Sequence, residues 1–214
     1  MNREERRKLN KISSSGKINI SKYIFHKLFF SNLSDLYKIV SWIEENPKIH
    51  NRFDKAVLHK SMSDFNKIKY RINKKQNTNI SFYMTYLIVF LYRSYLSDFI
   101  KLKSQYEKNF FSSDYSKCLD ILNEIEKKFG YSIWGISQKF KVIELRDGLS
   151  ENKKLLSEFL EQCPDNVFIA TLLQFLSNKS ELNISYSNYM TSLKKYFRSI
   201  NDSYLSSYFY FKLN

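Results

Sequence analysis

The chain has 214 residues, with 35 Lys and Arg against 21 Asp and Glu for a net charge of +14; 43% of it is hydrophobic and 17% aromatic. That is the composition of a folded, basic protein, and it excludes a disordered tail of low hydrophobicity. With 4 Gly and 2 Pro in the whole chain, glycine-rich phosphate cradles and turn-dense all-β folds are disfavoured, and long helices joined by short polar loops fit better.

The first segment, MNREERRKLNKISSSGKINI, carries charge where a secretory leader would carry its apolar stretch, so a cytoplasmic protein is expected. Residues 1–20 read as a basic flexible arm holding Arg3, Arg6, Arg7, Lys8 and Lys11. The overall lean towards Lys, Asn, Ile, Phe, Tyr and Ser is what AT-rich codons produce, which points to a bacterial gene.

Residues 21–75 read as a basic helical region. Ile24, Leu28, Leu33, Leu36, Ile39, Val40 and Ile43 fall at helical spacings up to Pro47, which disfavours helix at Asn46. From His50 to Arg71 the residues Phe53, Val57, Leu58, Met62, Phe65 and Ile68 again recur three to four apart. Up to Lys75 there are 18 basic and 7 acidic residues, a balance of +11; beyond it there are 17 and 14, a balance of +3. The positive excess is therefore an N-terminal property. Lys67, Lys69, Arg71, Lys74 and Lys75, interleaved with Ile68, Tyr70 and Ile72, form a patch suited to phosphate backbones or to an acidic protein surface. A solvated helix face gives the same run of charge, because basic residues alone carry no base-reading geometry.

The three histidines, His26, His50 and His59, do not make the paired spacing of a zinc helix, and Cys118 and Cys163 stand apart without a CxxC pair. Neither a metal, a cofactor nor a disulfide framework is expected. No nucleophile-elbow, P-loop or kinase motif is present. Arg52 and His59, with six residues between them, resemble the Arg-x(4–6)-His element of helical HEPN ribonucleases. That resemblance implies an arginine and a histidine acting together on a scissile phosphate and its 2′-hydroxyl. Phe53 departs from the polar residue common after the arginine in that family.

Asn73–Asn79 is polar enough to be a joining loop. The apolar run from Ile80 to Tyr92 is 13 residues, short of the roughly 20 that a bilayer span needs. It reads as a helix buried on nearly all sides, and no membrane span is expected.

Beyond it the chain matches itself at an offset of 34. Leu87, Ile121, Leu155 and Tyr189 fall into one column; Ile88, Leu122, Leu156 and Met190 into the next; Leu91, Ile125, Phe159 and Leu193 into a third. A second set, Phe99, Ile133 and Val167 beside Ile100, Trp134 and Phe168, fails at Asn201 and Asp202. The spacing predicts helices near 99–111, 114–128, 133–146, 150–162, 167–177, 184–199 and 202–212, with Asp114, Ser132, Ser150 and Asn166 placed as N-caps. Trp134, Phe140, Phe168 and Phe175 are expected inside.

Residues 85 to 200 resemble the tetratricopeptide-repeat family in their period, in the small Cys118 near the start of a second helix, in Leu122 and Leu156, and in Pro164 at a repeat end. Tyr106, Phe140, Ile125 and Phe159 depart from it, being bulky where the family has small residues. Tyr204, Leu205, Tyr208, Phe209 and Leu213 of the aromatic C-terminal segment are expected to cap the stack, docking on a second subunit being the alternative. The resemblance implies an all-α, right-handed α-solenoid over 80–214. It also implies a protein-binding groove, with Lys101, Lys103, Lys139 and Lys141 as rim charges.

The reading is therefore a non-enzymatic protein-interaction module, its partner a protein encoded nearby, with an accessory or immunity role in a bacterial defence or toxin system. Nucleic-acid binding through the basic N-terminal third, and a HEPN-like ribonuclease, are the alternatives.

Overall fold

A computed structural model describes Arg7 and residues 33–57, 60–62, 64, 78–164, 166–199 and 203–213. Among these residues every regular element is an α-helix and none is a strand. In chain order they are α1 (Leu33–Glu44), α2 (Pro47–Val57), α3 (Thr78–Leu91), α4 (Arg93–Phe111), α5 (Tyr115–Phe129), α6 (Ile133–Asp147), α7 (Leu149–Glu161), α8 (Val167–Ser180), α9 (Tyr186–Arg198) and α10 (Ser203–Leu213). No helix of the described residues is long and apolar enough to cross a membrane.

Their ends follow local chemistry. Pro47 opens α2, where its missing N–H costs nothing and its fixed φ suits the first turn. Asp114, Ser132, Asn166 and Ser185 accept backbone N–H groups from Lys117, Gly135, Ile169 and Asn188 and so satisfy orphaned donors at the starts of α5, α6, α8 and α9. Ser150 does not cap α7. That helix begins at Leu149, after Gly148, whose φ of 86° both ends α6 and starts α7 without a side-chain cap. α4 begins six residues before the predicted 99, because Arg93 does not interrupt the backbone bonding: Tyr92 N donates to Ile88 O at 3.0 Å and Leu96 N to Tyr92 O at 2.9 Å.

The chain divides into two compact units, Met1–Val57 with Asn73–Asp98 and Leu58–Ile72 with Phe99–Asn214. In the first, α1 packs against α2 and α3, burying Ile39, Val40, Trp42, Ile43, Ile49, Leu87, Leu91 and Tyr92. α3 is not buried on nearly all sides. Val89 is 48% exposed and Thr85 lies on the same open edge.

In the second unit α6 packs against α5, α7 and α8, while α8 packs against α6, α7, α9 and α10. One core cluster runs from Met62 through Ile136, Phe140, Phe159, Leu172 and Phe175 to Leu193 and Leu213. A smaller one joins Tyr106, Cys118, Leu119, Leu122 and Val142. Phe140 and Phe175 are buried as expected, whereas Trp134 and Phe168 are partly buried against the two clusters. Both cysteines are free and buried, and burial pushes their thiols up. Cys163 Sγ donates to Met62 O at 3.3 Å.

Candidate functional site

The residues expected at a binding groove come from α4 and α6. On α4, Phe99, Lys103, Tyr106 and Phe110 share a stripe at spacings of four, three and four; on α6, Trp134, Gln138 and Lys141 do the same at four and three. Ser132 fixes the start of α6, accepting from Gly135 N at 3.0 Å, and so sets Trp134 in the first turn. The two stripes meet through aromatic edges. Trp134 lies 5.5 Å from Phe99 and 5.5 Å from Tyr106, both nearly perpendicular, and Tyr106 lies 5.8 Å from Phe110. These are the offsets that the ring quadrupole favours.

Tyr106 anchors the arrangement. It is 2% exposed, and its hydroxyl donates to Gln138 Oε1 at 3.0 Å. Burial, followed by the nearby Cys118 and Glu107, raises its phenol well above the ordinary tyrosine range, so it stays a donor.

Of the four lysines, two sit over this aromatic row. Lys103 Nζ is 5.9 Å from the Trp134 ring centre and 3.4 Å from Glu107 Oε1. Lys141 Nζ is 4.6 Å from the Phe110 ring centre and is exposed, and among the described residues no carboxylate pairs with it. Lys101 is also exposed, on α4. Lys139 differs: its ammonium is 2.6 Å from Glu126 Oε2 of α5, and both side chains are more than four-fifths buried. That pair joins two helices and leaves Lys139 little freedom to meet a ligand.

Chemically the α4/α6 face offers two cations held over π-faces and a fixed amide–phenol pair. It can hold an acidic or aromatic group. Among the described residues no group of three or more His, Cys, Asp or Glu is placed to hold a metal ion.

The other sequence candidates fall outside what the structure describes. Lys67, Lys69, Arg71, Lys74, Lys75 and His59 lie outside the described residues, and Arg52 lies in α2 with its side chain outside them. The first unit holds a constellation that the sequence did not suggest. His50 Nδ1 is 3.3 Å from Asp54 Oδ2, and Tyr92 Oη donates to Asp54 Oδ1 at 2.8 Å. Burial and then the Asp54 bond raise the Tyr92 phenol, so it keeps the proton it donates. The i,i+4 spacing of His50 and Asp54 was visible in the sequence; Tyr92, 38 residues on from Asp54, was not.

No protein-family model matches the chain, and neither a curated protein nor a solved structure does, so its function has to be read from this geometry alone.

Proposed function

We propose that the protein is a non-enzymatic interaction module whose second half is a tetratricopeptide-like α-solenoid, and that the α4/α6 face receives an acidic segment of a partner protein. The solenoid reading is supported by neighbours two apart in the chain. α6 packs on α8 and α8 on α10, which is how successive hairpins shield one another's apolar flanks. It is supported too by the columns at an offset of 34, in which Leu87, Leu155 and Tyr189, Leu122, Leu156 and Met190, and Leu91, Ile125, Phe159 and Leu193 are all buried.

The observation that carries the binding role is Lys141 over Phe110 beside Lys103 over Trp134. Cations pinned to ring faces lose less freedom on meeting a carboxylate than lysines in open water, so part of the ordering cost of association is already met.

The test is affinity capture from the native host with the full chain as bait, beside a Lys103→Glu, Lys141→Glu double variant. A stoichiometric protein partner is expected with the parent chain. Its affinity for the variant should be roughly tenfold or more weaker, about 1.4 kcal/mol or more. Equal retention of that partner by both baits would remove the α4/α6 face from the proposal, and recovery of none would remove the interaction role.

A further inference from the structure

A second site stands on different helices and does not depend on the α4/α6 reading. α10 is fastened to its neighbours near its end: Leu213 is fully buried, Tyr189 Oη donates to Leu213 O at 2.9 Å, and Tyr208 stacks on Phe168 at 6.4 Å. Alongside α9 it leaves an open cleft of about 330 Å³ lined by Lys194, Phe197, Arg198, Ser207 and Tyr210. Phe197 is the floor. It is 7% exposed and stacked on Phe175, with the Tyr210 ring 6.5 Å away at 66° as a wall.

Among the described residues that line it, the charge of this cleft is one-sided. Lys194 and Arg198 are four apart on α9 and both are exposed, and among the described residues neither has a carboxylate partner. α9 and α10 themselves carry Lys194, Lys195, Arg198 and Lys212 and no Asp or Glu, while Asp202 between them lies outside the described residues. Two exposed cations beside an aromatic floor and an exposed tyrosine with its hydroxyl make a particular demand. The ligand must bring close to two negative charges and a flat ring, with polar groups between them.

We infer that the α9/α10 cleft binds a mononucleotide, its phosphate between Lys194 and Arg198 and its base against Tyr210. A phosphate monoester carries about −1.5 to −2 near pH 7, which matches the two cations, and the guanidinium can grip two of its oxygens at once. The base stacks on the tyrosine as on any aromatic platform. The Tyr210 hydroxyl suits the ribose or the base edge. The volume stands at the lower end of the 300–1,000 Å³ typical of small-molecule sites, roughly, which admits one nucleotide and not two.

The experiment is calorimetric titration of the full chain with AMP, GMP, CMP and UMP, with the matching nucleosides and with inorganic phosphate. At least one mononucleotide should saturate one site per chain, with its nucleoside and inorganic phosphate each binding about tenfold or more weakly. The Lys194→Glu, Arg198→Glu double variant and the separate Tyr210→Ala variant should each weaken that nucleotide about tenfold or more, with the helical circular-dichroism signal unchanged, since all three side chains lie at the surface. Absence of saturation by every nucleotide at millimolar concentration overturns the inference. So does affinity unchanged in both variants, or inorganic phosphate binding as tightly as the nucleotide.

Discussion

Lys139 and Lys141 are two residues apart on α6 and have opposite fates. Lys141 projects to solvent over Phe110, while Lys139 is spent on Glu126, whose second oxygen, Oε1, is buried without a partner. A half-satisfied buried ion pair contributes little net stability, yet breaking it from one side strands a charge. Lys139→Ala is therefore expected to lower unfolding stability by about 3–5 kcal/mol, while Lys139→Met with Glu126→Leu recovers most of the loss. Urea unfolding of the three proteins checks this. A double variant no more stable than Lys139→Ala would show that the pair does more than compensate its own burial. Lys141→Ala belongs to the contrasting class and should shift stability by no more than about 0.5 kcal/mol, because a lone exposed cation over a ring gives little.

At the scale of the element, α5 depends on Asp114. Its carboxylate accepts from Lys117 N at 3.2 Å and pairs with Lys117 Nζ at 2.6 Å, and these bonds hold its carboxyl below the ordinary 3.8. Because the folded-state value is depressed, the stabilisation is complete above 3.8 and is lost as pH falls through the lower folded value. Asp114→Asn keeps the cap and removes the titration. Unfolding midpoints of the two proteins should run at a constant offset from neutral pH down to the ordinary aspartate range, with the parent losing stability relative to the variant below it. Parallel curves throughout that acid range would show that the cap contributes no proton-linked stability.

The caps of α5, α6 and α8 and the apolar positions of α5 to α9 were legible because both are local patterns: a side chain three residues from its N–H, and apolar positions on one helical face, whereas Ser185 at the start of α9 was not singled out. Ser150 misled for a reason equally local. A serine near a predicted start resembles a cap, but Gly148, in a backbone region that glycine tolerates, set the start of α7 instead. Val167 and Ile100, 76% and 63% exposed, fell in aligned columns yet face solvent, since matching a period does not ensure a neighbour to pack against. The site was less legible than the helices. Four lysines on α4 and α6 look alike in sequence; only the crossing of α5, α6 and α4 assigns Lys139 to Glu126 and Lys141 to Phe110. The α9/α10 cleft had no local signal, because its wall and rim come from separate helices.

Over the whole molecule, the question is whether stability in the second unit is held in one indivisible core or passed between neighbours. The two apolar clusters argue for neighbours. Leu119, Leu122 and Val142 pack around Tyr106 and Cys118, apart from the larger cluster in which Leu172, Phe175 and Leu176 meet Tyr189, Leu193 and Phe197. In a chain of nearest-neighbour interfaces, removing one end exposes only the face it covered, and the remainder keeps its own contacts. A chain ending at residue 184 lacks α9 and α10, and with them the rings that meet Phe175 at 6.3, 5.4 and 6.5 Å. Amide hydrogen exchange on that shortened chain should show protection lost at Leu172 and Leu176 of α8 and kept at Leu122 and Val142, with a smaller and less cooperative unfolding transition. Protection lost at all four positions together would mean that α4 to α10 share one core, because a unit that melts as a whole has no separable neighbours, and the tetratricopeptide-like reading would fall with that result.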